Sequence, residues 1–215
     1  MATGAIPAVK GLRLLLKPGA RREHVCEICG AAVTAEHRHM LQAGSRRLLC
    51  ACDSCAFRER GYRLVPTRYA RSSAMRIARE QWDALDIPVD PVFLIRGGDR
   101  RVWRVCYPGP AGVTESRLPL EAWPDLVAAH PWLESVLPDV EAVLVRRDGD
   151  VYACAIVPIS DCYELAGRIR ASWNGFSGGE AVAIEVERFF GILDGRIAGI
   201  STPSAGPVSD AGEDR

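Results

Sequence analysis

Between residues 79 and 197 the apolar positions fall into short runs and helical stripes, and glycine or proline marks the breaks between them. Residues 92–95 and 102–107 are β-branched and aromatic runs on either side of Gly97-Gly98-Asp99, which predicts a hairpin. Residues 108–112, Pro-Gly-Pro-Ala-Gly, then break the chain. A second hairpin is predicted from residues 140–145 and 151–157 around Asp148-Gly149. Helical spacing appears at 79–85 around Trp82, ended by Pro88, and at 120–129 with Trp123, Leu126 and Val127 on one face. It recurs at 161–173 through Tyr163, Leu165, Ile169 and Trp173. A last helix follows Ser177 as N-cap with Glu180 at N3, and carries Val182, Val186, Phe189, Phe190 and Leu193. This order predicts an α+β fold: an antiparallel or mixed sheet of about four strands, with helices packed mostly on one face.

The N-terminal third is patterned differently. Residues 1–20, rich in Ala, Gly and Pro, read as a flexible arm. A Cys-rich module follows over 21–66, with short strands expected at Leu48-Leu49 and at 62–66 and a helical turn after Cys55. Residues 67–78 form a basic connector with Arg68, Arg71 and Arg76, residues 79–197 form the α+β domain, and the Ser/Gly/Pro-rich stretch 201–215 reads as a disordered tail.

Composition supports a folded chain with an apolar core, since 48% of its 215 residues are hydrophobic and 25% charged. No apolar run approaches the roughly 20 residues of a membrane span, and Leu14-Leu15-Leu16 is too short for a signal-peptide core. The expected location is therefore the cytoplasm, where reduced thiols favour metal binding over disulfides. The net charge is zero but unevenly spread. Residues 1–80 hold 15 basic and 6 acidic side chains, and residues 81–215 hold 12 and 21. A basic half can meet nucleic acid, an acidic protein or the acidic half of its own chain, and self-complementation or a plain solvated surface is favoured over nucleic-acid binding.

Five of the eight cysteines fall between Cys26 and Cys55. Cys26-Glu27-Ile28-Cys29 and Cys52-Asp53-Ser54-Cys55 are two Cys-x-x-Cys knuckles, and a pair of such knuckles is what a tetrahedral thiolate site requires. Gly30 suits the positive-φ turn that follows a knuckle. A knuckle, a hairpin and a second knuckle at a helix start would make a zinc-knuckle or treble-clef-like module. The expected metal ligands are Cys26, Cys29, Cys52 and Cys55. Cys50 complicates this set: it can replace Cys52, or make the site suited to an iron–sulfur cluster. Zn²⁺ is favoured, with the iron–sulfur cluster as the alternative.

His37 and His39 flank Arg38 in the loop between the knuckles and would point the same way on a strand. They are candidates for a second metal position, a substitute ligand or a general base, against a plainer surface or supporting role. A Cys-x-x-Cys followed by paired histidines is also similar to part of the HNH nuclease motif, but the downstream Asn and His are not evident. Cys106 and Cys154 sit in apolar runs and read as core residues. Cys162, near a helix start, is a candidate for a lowered pKa. The glycine-rich turn 173–179 opens a helix, yet it lacks the lysine and spacing of a P-loop, so capping explains it better.

Several stretches together carry a family likeness. They are Cys26-Glu27-Ile28-Cys29-Gly30, His37-Arg38-His39-Met40, Leu48-Leu49-Cys50-Ala51-Cys52-Asp53-Ser54-Cys55-Ala56, Tyr62-Arg63-Leu64-Val65-Pro66, the Trp82–Val89 segment and the 173–179 turn. In that order, over about residues 24–195, the chain resembles an uncharacterised bacterial family, mainly actinobacterial, encoded beside NiFe hydrogenase genes. Met40 stands where that family leads one to expect Leu. The resemblance implies a context of hydrogenase assembly or electron transfer, with hydrogenase subunits or maturation factors as protein partners, and no established activity. It carries over only Cys26, Cys29, Cys50, Cys52, Cys55, His37 and His39 as motif members. The resulting expectation is a non-catalytic metal-binding accessory protein. An iron–sulfur electron carrier is the first alternative, and a metal-dependent nuclease or nucleic-acid binder the second.

Overall fold

The computed structural model describes residues 24–42, 45–57, 60–87, 89–98, 102–116, 122–175 and 178–200. The expected arm, the expected tail and the expected cap Ser177 lie outside these residues.

Two antiparallel sheets organise the chain. The smaller contains β1 (Arg38–Gln42), β2 (Leu48–Ala51) and β3 (Tyr62–Leu64) in the order β2-β1-β3, with the single-turn helix α1 (Asp53–Ala56) between β2 and β3. Successive side chains of a strand point to opposite faces, and each face of this sheet has its own destination. Met40 and Ala51 are buried with Cys26 and Ala56 in a small core. Leu41, from the opposite face of β1, is buried in the core of the larger sheet together with Val65.

The larger sheet holds β4 (Arg76–Ala78), β5 (Val92–Arg96), β6 (Trp103–Gly109), β7 (Gly112–Glu115), β8 (Glu141–Asp148) and β9 (Val151–Pro158), ordered β4-β9-β8-β5-β6-β7. The two expected hairpins are β5–β6 and β8–β9, and they lie side by side because β5 also pairs with β8. The expectation of about four strands is corrected to six, with three more in the small sheet. The additional strands sit at the two edges. β4 is a three-residue strand in the stretch expected to be a basic connector, and only its Ile77 is fully buried. β7 follows the Gly109–Gly112 turn, and its Thr114 and Glu115 are exposed. Neither presents the apolar alternation of a half-buried strand.

The long helices α4 (Ile159–Ser172) and α5 (Gly179–Ile200) cover one face through Leu165, Ile169, Phe189, Phe190 and Leu193. The short helices α2 (Arg79–Asp83) and α3 (Trp123–Ala129), with a 3-10 turn at Pro131–Ser135, cover the other through Trp82, Trp123, Leu126 and Leu133. Helices therefore cover both faces, which corrects the expected packing mostly on one face. The strands β5, β8 and β9 read as nearly continuous apolar runs because each of their faces meets a core.

Charge crosses the chain in the same way. Six arginines of the basic stretch pair with carboxylates from the acidic one: Arg46 with Glu115, Arg63 with Asp139, Arg68 with Glu141, Arg71 with Asp194, Arg76 with Asp148 and Arg79 with Asp150. The expected self-complementation is realised at these pairs. Most are exposed, so each contributes little on its own. Arg68 is different, because Glu141 is fully buried. The Arg68 guanidinium donates from Nε and Nη2 to the two carboxylate oxygens at 2.9 and 2.6 Å, and the Leu137 amide donates to Oε2 at 2.8 Å.

Just beyond this contact, Ala70 exchanges backbone hydrogen bonds with Ile156 of β9, and the Cys154 amide donates to the Met75 carbonyl. The segment between the sheets is thus stitched to the larger one. Replacing Arg68 with Ala would leave the Glu141 carboxylate buried with the Leu137 amide and no counter-charge. Arg68 is half exposed, so we expect a loss of about 2–3 kcal/mol, below that for a fully buried pair. A lowered urea midpoint reads this, and Arg68→Ala combined with Glu141→Gln should recover part of it.

Candidate metal centre

The first knuckle is a tight backbone turn. The Cys26 amide donates to the Ala31 carbonyl at 2.7 Å, the Gly30 amide to the Cys26 carbonyl at 2.8 Å, and Val25 bridges Ala32. Gly30 takes φ 77° there, the left-handed conformation that glycine adopts without penalty. The second knuckle uses a different device. Cys52 follows β2 and is the N-cap residue of α1, and the Ala56 amide donates to its carbonyl at 3.0 Å. One helical turn then carries Cys55 back alongside Cys52. Knuckle, hairpin and helix start follow one another along the chain.

These turns bring the sulfurs of Cys26, Cys29, Cys52 and Cys55 within 4.8 Å of one another. Sγ of Cys29 and Sγ of Cys52 are 3.8 Å apart. With metal–sulfur bonds near 2.3 Å, the edge of a tetrahedral four-sulfur shell is about 3.8 Å. The donor set therefore fits a single metal ion. All eight cysteines are free thiols, so no disulfide competes for these sulfurs.

Glu27 ties the knuckles together. Its carboxylate accepts the Cys50 amide at 2.8 Å and the Arg47 guanidinium at 2.9 Å, while its own amide donates to the Cys50 carbonyl. Its position between two cysteines conceals this role in the sequence. Arg38 pairs with Asp53 at 3.2 Å and lies over the Phe57 ring.

Burial raises the pKa of the Cys26 thiol, but the backbone amides of Cys52, Cys29 and Ile28 and the Cys29 thiol lower it further, leaving it at about 6. Burial and then contact with the thiols of Cys29, Cys52 and Cys26 push Cys55 up to about 12.

Cys50 is not in this group. It lies with His37 and His39 in a second cluster whose ligand atoms are again within 4.8 Å of one another. Burial, then Glu27 and Cys26, raise the Cys50 pKa. Burial, then the neighbouring His37, lower that of His39. His24 extends the set: its ring is 5.1 Å from that of His37, which is 4.7 Å from that of His39. His24 was not among the expected site residues. The available signal was that three of the four histidines fall between residues 24 and 39.

The other cysteines are buried and belong to neither cluster. Burial and then Glu115 push Cys106 to about 12, and burial alone does the same to Cys154. The lowered pKa expected for Cys162 is corrected: burial, then Asp161 and Cys106, raise it well above the ordinary thiol value. Its place in α4 turns the thiol into the core, where burial outweighs any helix-end effect.

An α+β fold bearing a four-cysteine group able to hold a metal ion defines the class of protein. The sequence profile of a family of unknown function, DUF5947, matches residues 25–197, and the chain belongs to that family. Neither the curated proteins nor the solved structures gave a match. Among the described residues no helix is long and apolar enough to cross a membrane.

Thiol labelling can separate the three cysteine environments. In metal-free native protein the five thiols between Cys26 and Cys55 should react with a disulfide reagent before the chain unfolds, Cys50 and Cys55 more slowly because their pKa values are raised, while Cys106, Cys154 and Cys162 should react only on unfolding. One equivalent of zinc should protect four of the five and leave Cys50 reactive. Peptide mapping of the labelled sites checks the assignment.

Proposed function

We propose that this chain is a non-catalytic metal-binding accessory protein, in which a zinc-organised module over residues 21–66 forms a docking surface beside the α+β domain of residues 79–197. The observation that carries the reading is the convergence of four cysteine sulfurs from two knuckles within 4.8 Å. A shell of this size suits one ion. The cysteines of a multi-iron cluster are divided among its irons and stand farther apart. The 3.8 Å edge between Cys29 and Cys52 supports Zn²⁺, and a single iron ion would fit the same edge.

The pairing of basic side chains with the chain's own carboxylates favours a protein partner over nucleic acid. The sequence resemblance over about residues 24–195 supports a NiFe hydrogenase context, with hydrogenase subunits or their maturation factors as partners. In that context the module holds a recognition surface in shape, and the metal acts through folding.

Elemental analysis of protein purified without oxygen should find about one zinc in the four-cysteine shell and no inorganic sulfide. Cys52→Ser should lose that ion and loosen the small module while the large sheet stays folded, read by hydrogen exchange. Deletion of the gene should lower hydrogenase activity in cells, with rescue by the wild type and not by Cys52→Ser. Iron with sulfide and strong visible absorption would replace this reading with an electron carrier. Full rescue by Cys52→Ser would remove the docking role.

A further inference from the structure

The β1–β2 register sets His39 directly opposite Cys50. Directly opposed residues of an antiparallel pair share a face, with Cβ atoms about 5 Å apart. His37, two residues before His39, joins them on that face. The reverse face carries Met40 and Ala51, buried with Cys26. The hairpin therefore separates two potential ligand groups, one on each side.

We propose that His37, His39 and Cys50 hold a second divalent transition-metal ion, distinct from the one in the four-cysteine shell, with a coordination position open to the adjoining cleft. The ligand atoms lie within 4.8 Å of one another, and side-chain rotation closes the remainder to a bonded edge of about 3.5 Å.

His37 supplies the most direct observation. Its Nδ1 lies 2.9 Å from the Thr34 carbonyl oxygen. A carbonyl only accepts, so Nδ1 carries the proton and the lone pair sits on Nε2. That Nε2 is buried and has no hydrogen-bond partner. A buried nitrogen in this condition is costly, and a metal bond would satisfy it. A backbone carbonyl on the other ring nitrogen is also the arrangement that orients a metal-ligating histidine.

Two imidazoles and one thiolate suit ions of intermediate softness such as Zn²⁺, Co²⁺ or Ni²⁺. Three protein ligands leave a fourth position for water or an exchangeable ligand, as in sites that bind a further molecule. His37 and His39 line a cleft of about 1120 Å³, whose far wall includes Tyr69, Asp161, Glu164 and Arg196. Cys50 is not part of that wall, so the two histidines are the ligands that meet the cleft. The site stands whether or not the four-cysteine shell takes zinc.

Anaerobic titration of the metal-free full chain with Co²⁺ tests this. Wild-type protein should bind two equivalents, one with the intense charge-transfer bands of a four-thiolate site and one with the weaker band of a single thiolate. His37→Gln, His39→Gln and Cys50→Ser should each lose the second equivalent at micromolar protein and keep the four-thiolate spectrum. Cys52→Ser should do the reverse, so failure of the four-cysteine reading is seen separately. The second equivalent should also protect Cys50 from thiol reagents in unmodified protein, a readout that needs no variant to fold. A single equivalent in the wild type, unchanged in the three variants, would overturn the proposal. So would loss of the four-thiolate spectrum in a Cys50→Ser protein whose far-ultraviolet dichroism is unchanged.

Discussion

The two-residue pleat of the β1–β2 hairpin governs how this molecule is arranged. Along β1, Met40 turns to the small core beneath the knuckles, while His39 and Leu41 turn the other way, and Leu41 enters the core of the larger sheet. Across the ladder, Cys50 faces His39 and Ala51 faces Arg38. A slip of one residue would exchange every one of these destinations. It would bury histidine among the knuckle thiols and turn Met40 toward the cleft. The register is held at its ends by the cross-links of Glu27 to Cys50 and Arg47, and by the Val65 amide on the His39 carbonyl.

Opposite charge does for the whole chain what the pleat does for the hairpin. A chain whose first 80 residues are basic and whose remainder is acidic folds so that arginines from the one reach carboxylates from the other. Most of these contacts lie at the surface and specify alignment more than they stabilise. At Glu141 the same logic reaches the interior, where a carboxylate is tolerated because a fork of two guanidinium donors meets it.

Much of this was legible in the residues. The hairpins β5–β6 and β8–β9 could be read because glycines mark their turns and both faces of the strands are apolar. The four-cysteine group could be read because Cys-x-x-Cys spacing constrains geometry locally. The edge strands could not: β4 has one buried residue among charged neighbours, and β7 ends in exposed Thr114 and Glu115. Their identity as strands comes from the neighbours they pair with. The separation of Cys50 from the other four cysteines was equally hidden. Cys50 stands two residues from Cys52, and only the point where β2 gives way to α1 directs one sulfur to each side. Cys162 misled for a related reason, since position along a helix does not reveal which way that helix faces.

The backbone bonds that fasten Ala70 and Met75 to β9 bear on how this molecule would meet a larger one. A loose tether would let the small sheet search for its partner, and the restriction of that search would be charged against the affinity. A segment stitched down as an extra edge has already surrendered that freedom during folding. A partner spanning both sheets would find its two footholds at a fixed spacing, with less entropy left to lose on contact. Under the proposed docking role, the same fixed spacing would make the molecule a gauge as well as a handle, favouring surfaces whose own footholds match its span.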